Sequence, residues 1–222
     1  MPGYGLSNEP SAYTMSAICS ELEALPDLPV GTPILGNCSG AIIAAALKER
    51  NPERWGSLVM LEPFAFVPWY FGLFLVPGFG PLAFRTAFSN PIGRWFTNRF
   101  VGEGDVDMMA SFAAIPARVP LGYLRVLREI GTADFFAASP EEPLILFGER
   151  TFPEIHQSVE MWTTVWPDAT ARMLANVGHL PIEEAPGQVA QALNDVLATA
   201  AAATRAGCEA STPSSRESAG AE

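Results

Sequence analysis

The sequence predicts an α/β fold, a mostly parallel sheet with helices on both faces. Three observations carry this. Short runs that are apolar at every position recur along the chain, as in strands buried on both faces. Between them lie longer segments whose apolar residues return every three or four positions, the spacing of a helix face. Proline, glycine and asparagine mark the boundaries between the two kinds of segment. Strands alternating with helices in this way form a parallel sheet joined by crossover helices.

The elements follow in order. Ser11 is placed to cap a helix whose face is Met15, Ile18, Cys19, Leu22 and Leu25, and Pro26 ends it. Pro33-Ile34-Leu35-Gly36 is the first strand. From Ser39 to Lys48 the chain is small and apolar all round, which predicts a helix buried against the sheet, stopped by Asn51-Pro52. Ser57-Leu58-Val59-Met60-Leu61-Glu62 is the second strand, and Pro143 to Phe147 the third. Ile155, Val159, Trp162 and Trp166 share one helix face. Ala169 to Leu174 is a weaker fourth strand. Val189, Leu193, Val196 and Leu197 mark a last helix, with Pro186 suited to its first turn.

Composition narrows the function. At 222 residues, 49% hydrophobic and 17% charged, the chain buries a sizeable core, and wholesale disorder is excluded. A net charge of −11 and a pI near 4.6 argue against a nucleic-acid partner held by a basic surface. Three cysteines (Cys19, Cys38, Cys208) form neither a disulfide framework nor a zinc knuckle. The only histidines are His156 and His179, a poor metal set, and no glycine loop suited to phosphate is present. Neither a metal nor a cofactor is expected. Met1-Pro2-Gly3-Tyr4-Gly5 has neither the basic region nor the apolar stretch of a signal peptide, so the expected location is cytoplasmic.

Charge is uneven along the chain. Residues 1–62 carry a net −4, residues 63–140 a net +1 and residues 141–222 a net −8. From Pro63 to Phe84 there is no charge at all, but four prolines and three glycines would break a spanning helix. Two readings stay open: a buried or pocket-lining cap, and an interfacial membrane contact through residues 64–99 anchored by Arg85, Arg94 and Arg99. From Ala198 to Glu222 the chain is mostly small and polar, which predicts a disordered tail in which Cys208 is incidental.

The most informative stretch is Gly36-Asn37-Cys38-Ser39-Gly40, between the first strand and the small-residue helix. A G-x-C-x-G pattern in that setting makes a sharp strand-to-helix turn and lifts the central side chain above the sheet. The turn also sets Cys38 at a helix N-terminus, where free amides favour a thiolate and a developing oxyanion.

Here the sequence resembles the α/β-hydrolase family. Pro2-Gly3-Tyr4-Gly5-Leu6-Ser7 resembles the family's D-x-P-G-x-G-x-S loop, and Asn51-Pro52-Glu53-Arg54 the segment after its elbow helix. Pro143 to Glu149 resembles its seventh strand. Asn176-Val177-Gly178-His179-Leu180-Pro181, followed by Glu183-Glu184-Ala185-Pro186, resembles its histidine segment. The resemblance runs from residue 2 to about 197. It implies Cys38 as nucleophile, where most members carry Ser, and His179 as general base and acid.

The orienting acid departs from the family pattern. Thr151 stands where an Asp is common, in Gly148-Glu149-Arg150-Thr151. The resemblance admits an acid one strand earlier, at Glu62, with Glu149 and Glu154 as weaker alternatives. The oxyanion hole would use the Ser39 amide. The implied activity is hydrolysis of an ester, thioester or related bond in a hydrophobic small molecule through a covalent acyl-enzyme. Dehalogenase chemistry is disfavoured because its nucleophile is Asp. Phe64, Trp69 and Tyr70 would line the substrate pocket. The alternative is an incomplete or inactive member, associated with a membrane through its cap.

The implied layout is a core over 1–63 and 141–197, a helical cap over 64–140 and a tail over 198–222. The resemblance further implies that the family's first strands are missing, Met1 standing at the motif's Asp. The strand at Pro33–Gly36 would then be an open edge. The sequence leaves oligomeric state undetermined.

Overall fold

The computed structural model describes residues 1–93, 95, 115–195 and 198. Four parallel strands form one sheet in the order β1 (Thr32–Asn37), β2 (Trp55–Leu61), β3 (Leu144–Gly148), β4 (Thr170–Leu174). Each lies within two residues of its predicted bounds. β1 and β4 form the edges; Leu35 on β1 is half exposed, and β4 is buried only at Leu174.

The central strands are apolar throughout because both faces are covered. On one face Leu58, Met60 and Ile145 join the core with Ile42 and Ile43 of helix α2 (Ser39–Arg50) and with Trp162. On the other, Val59, Leu61, Leu144 and Leu146 pack with Ala192 of the helix over residues 186–195. Each such Leu or Ile contributes roughly 1.5–3 kcal/mol by leaving water. Helix α2 comes close to β1 because Gly36 has no side chain: a Cβ there would lie 2.3 Å from the Gly40 carbonyl oxygen.

Helix α1 (Met15–Glu23) is shorter than predicted. Thr14, not Ser11, caps it, its hydroxyl accepting from the Ala17 amide at 3.2 Å. The Ser11 amide instead donates to Glu21 Oε1 at 2.7 Å, and Leu25 lies past the helix end, exposed. The face Ile155, Val159, Trp162 belongs to a helix over Pro153–Val165, and Trp166 follows it, its ring stacked 4.9 Å from that of Trp162. Of the last predicted helix, Val189 and Leu193 lie in the described helix, whereas Val196 and Leu197 lie outside the described residues. So does the predicted tail, Ala198 excepted.

The chain between β2 and β3 folds into short helices. A 3-10 turn over Trp69–Leu75 leads into α3 (Gly80–Phe84), a π-turn over Arg85–Ser89 and, later, α4 (Arg118–Ile130). Phe84, Phe88 and Leu121 make a small core of their own. Ser158, fully buried, ties the start of this insertion to the body, accepting from the Ala65 amide at 2.9 Å. Arg94 and Arg99 lie outside the described residues. Among the described residues no single helix is long and apolar enough to cross a membrane. One helix pair, Trp69–Leu75 with Gly80–Ser89, has the length and composition but is bent by 118°.

Candidate active site

Every strand delivers one residue at its carboxyl end, where open parallel sheets hold their sites. Cys38 follows β1, Glu62 follows β2, Thr151 lies three residues past β3, and His179 sits in the loop after β4. Among the described residues, two of the four non-glycine residues with positive φ are Cys38 (52°) and Glu62 (51°), and Asn176 (59°) leads into the histidine loop. Backbone strain is thus concentrated at these strand ends, held by hydrogen bonds that extend the ladder. The Cys38 amide donates to the Leu61 carbonyl at 2.8 Å, and the Glu62 amide to the Leu146 carbonyl at 2.8 Å.

Cys38 is a free, half-buried thiol immediately before α2, and its side chain does not cap the helix. The Ser39 amide opens the helix, among the N–H groups that have no intrahelical partner. Cys19 differs: it is buried in the core, and burial first, then the charge of Glu23, pushes its thiol up to about 11. Tyr4, from the amino-terminal loop, packs its ring 5.6 Å from Tyr123. Burial and the nearby Cys38 raise its phenol to about 12, which keeps it protonated.

Glu62 is fully buried and fully engaged. Oε1 accepts from the Gly148 amide at 2.5 Å; Oε2 accepts from the Thr151 hydroxyl and lies 2.8 Å from His179 Nδ1. A buried carboxylate is tolerated when it is paired and hydrogen-bonded in this way. Thr151 Oγ1 also lies 3.3 Å from Nδ1, so Thr151 touches both members of the pair. The sequence marks Thr151 only as a missing acid; its neighbour across the fold gives it a partner.

The His179 ring rests against Phe152 (4.5 Å between centroids) and Phe64 (6.0 Å). Burial alone would lower its proton affinity. Hydrogen bonding to Cys38 and Glu62, and their charges, outweigh burial and raise its pKa to about 9. Glu184 clamps the loop: its Oε2 accepts from the Gly178 amide at 2.6 Å and its Oε1 from the Leu180 amide at 3.1 Å. The two amides flanking the histidine are thereby fixed. β3 approaches this loop closely, since a Cβ on Gly148 would lie 2.3 Å from the Gly178 oxygen.

The alternative acids have other partners. Glu149 accepts from the Asn176 amide at 2.8 Å, and Glu154 from the Tyr70 hydroxyl at 3.3 Å. His156 lies on the helix over Pro153–Val165, away from the triad candidates. It is half-buried, with its ring edge-on to that of Phe147 on β3. Of the pocket candidates, Phe64 lies against His179 and Tyr70 is partly buried beside Glu154, while Trp69 is 81% exposed and contacts the Tyr70 ring. Phe152 is not among them; its place four residues past β3, beside the helix start, gives no signal in the sequence. No group of three or more His, Cys, Asp or Glu among the described residues converges as a metal site would.

The family model described as alpha/beta hydrolase family matches residues 1–192. The chain belongs to the alpha/beta hydrolase family. Solved structures show the same fold. A thermophilic esterase from Thermogutta terrifontis is similar at TM-score 0.65 and 20% identity, over 90% of this chain and 78% of that one. A hydrolase from Pseudomonas aeruginosa PA01 gives 0.66 and 21%, over 88% and 77%. A structure from work on carboxylesterases of the thaumarchaeon Nitrososphaera gargenis gives 0.65 and 18%, over 90% and 78%. No curated protein matches the chain. As an α/β-fold hydrolase, the chain has the parallel sheet flanked by helices that the resemblance in the sequence implied.

Proposed function

We propose that the protein hydrolyses an ester, thioester or related bond in a hydrophobic small molecule, with Cys38 as nucleophile, His179 as general base and acid, and Glu62 as orienting acid. One observation carries the reading: at the strand ends, the buried Glu62 carboxylate holds His179 Nδ1 at 2.8 Å, and Cys38, at the end of β1, is near enough to raise the ring's proton affinity. The esterases among the similar structures support the reaction class.

Glu62 occupies Nδ1, so Nε2 is the nitrogen left to exchange protons with Cys38. Cys38 passes its proton to Nε2, and the sulfur attacks the carbonyl carbon. The oxyanion forms against the Ser39 amide. Collapse breaks the bond to the leaving alcohol or thiol, which takes the proton from Nε2 and departs, leaving a thioester on Cys38. Water then attacks that thioester while Nε2 takes its proton. Collapse expels the Cys38 sulfur, which recovers the proton, and releases the carboxylic acid. Acylation helps the second half. An acylated Cys38 no longer offers the hydrogen bond and charge that raise His179, so the ring loses its proton more readily and serves as base. Phe64 and Phe152, against the His179 ring, give the acyl group an apolar wall.

The test is hydrolysis of p-nitrophenyl butyrate by the full chain, with acyl-enzyme trapped at low pH and located by mass spectrometry. The expected label is on Cys38 and is lost in Cys38→Ala. Label and turnover that survive both Cys38→Ala and His179→Ala would overturn the mechanism, and a wild-type chain that gives neither label nor turnover would favour an inactive member of the family.

A further inference from the structure

We infer that the apolar face of the segment between β2 and β3 docks on a phospholipid surface. Among the described residues fifteen large apolar side chains are exposed, and seven fall between 69 and 95. They include Trp69 (81%), Leu82 (63%), Ile92 (70%) and Trp95 (63%), with Leu73 and Phe79 about half exposed. The tryptophans divide the same way: Trp55, Trp162 and Trp166 are buried, whereas Trp69 and Trp95 are on this segment and exposed.

The segment is apolar on both sides. Phe84 and Phe88 face inward, packed with Leu121 of α4, so the exposed side chains are not a core turned inside out. A helix that is apolar all round buries its second side in a core or in lipid. Neither short helix is long enough to span alone, and the 118° bend between them suits a wedge lying in the interface plane.

Charge selects lipid over a second copy of the chain. Residues 63–102 hold three arginines and no Asp or Glu, in a chain with 24 acidic and 13 basic residues. Two copies meeting through this segment would bring arginines together with no acid of the segment to pair them. On a phospholipid surface, Arg85, exposed between Leu82 and Ile92, meets phosphate. Exposed tryptophans suit the same depth, their rings lying at the level of the headgroups. Tyr70, in ring contact with Trp69, joins this surface to Glu154 near the candidate active site.

The test is co-sedimentation of the full chain with vesicles of phosphatidylcholine and phosphatidylglycerol in low salt, read beside tryptophan quenching by brominated lipid. The chain is expected to sediment with the vesicles and to lose tryptophan fluorescence. Leu73→Ser/Leu82→Ser/Ile92→Ser is expected to weaken partitioning at least about tenfold. All three positions are solvent-exposed, so its thermal melt and its turnover of p-nitrophenyl butyrate stay at the wild-type level. Three results would overturn the inference: no wild-type sedimentation, a variant that binds within about twofold of wild type, or a concentration-dependent dimer that the variant abolishes while vesicles leave the chain in solution. None of these bears on the Cys38 mechanism, which is tested by the label.

Discussion

Replacing Glu62 by Gln tests the core of the site with almost no change in shape. Glu62 Oε1 accepts from the Gly148 amide, and Gln can keep that bond with its carbonyl oxygen. Its NH2 then stands where Oε2 was, facing the Thr151 hydroxyl and, at 2.8 Å, His179 Nδ1. A donor at that position makes Nδ1 an acceptor and moves the ring proton to Nε2, where the base should be empty. One charge-assisted hydrogen bond is lost, worth roughly 1.5–3 kcal/mol, or a factor of roughly 10 to 150. The inverted tautomer adds to this, for a total on the order of 10²–10⁴ in kcat/KM. Two of the influences that raise His179 also vanish, so its pKa falls below about 9. Turnover of p-nitrophenyl butyrate gives the first quantity; the ring-proton NMR titration of His179 gives the second. A variant keeping about a third of wild-type kcat/KM or more, with the His179 titration unmoved, would refute the reasoning.

Further expectations follow from the same contacts. Thr151→Val removes the hydroxyl that fixes Glu62 Oε2 and should lower kcat about tenfold with KM unchanged, while Thr151→Ser stays within about twofold; an equal fall in both variants would point to packing instead. His179 has a folded-state pKa of about 9 against 6.5 for the free residue, so its contribution to stability is whole below 6.5 and is lost as pH rises through about 9. That contribution is at most ~3 kcal/mol, and the urea midpoint of wild type should fall more steeply over this window than that of Glu62→Gln. Gly36→Ala drives a Cβ into the Gly40 carbonyl and should cost ~3 kcal/mol or more, whereas Gly40→Ala, with open space around it, should be neutral or gain up to ~1 kcal/mol in the same urea assay.

The glycine pair shows why a motif underdetermines its own geometry. Both glycines of G-x-C-x-G look alike as letters, yet only Gly36 lies where strand and helix backbones nearly touch. Likewise the helix over residues 39–50 was legible because small apolar residues occupy every face, while the cap of α1 was not, since Ser11 and Thr14 are equally good caps by type. Burial could not be read for His156, whose cover is Phe147 on a strand adjacent only in space.

By itself the sequence determined the order of the strands, the thiol at the elbow and the histidine loop, because each is encoded by local spacing: apolar runs, flanking glycines, a Gly-His pair with acids after it. Only the tertiary structure decided which carboxylate meets the histidine. Glu62 and His179 are 117 residues apart, and their contact depends on β2 and β3 lying side by side so that Glu62 and Gly148 end level. It also decided that Thr151 joins them and that Glu184 holds the loop, since a hydrogen bond across a sheet depends on register and distance, which spacing along the chain does not record.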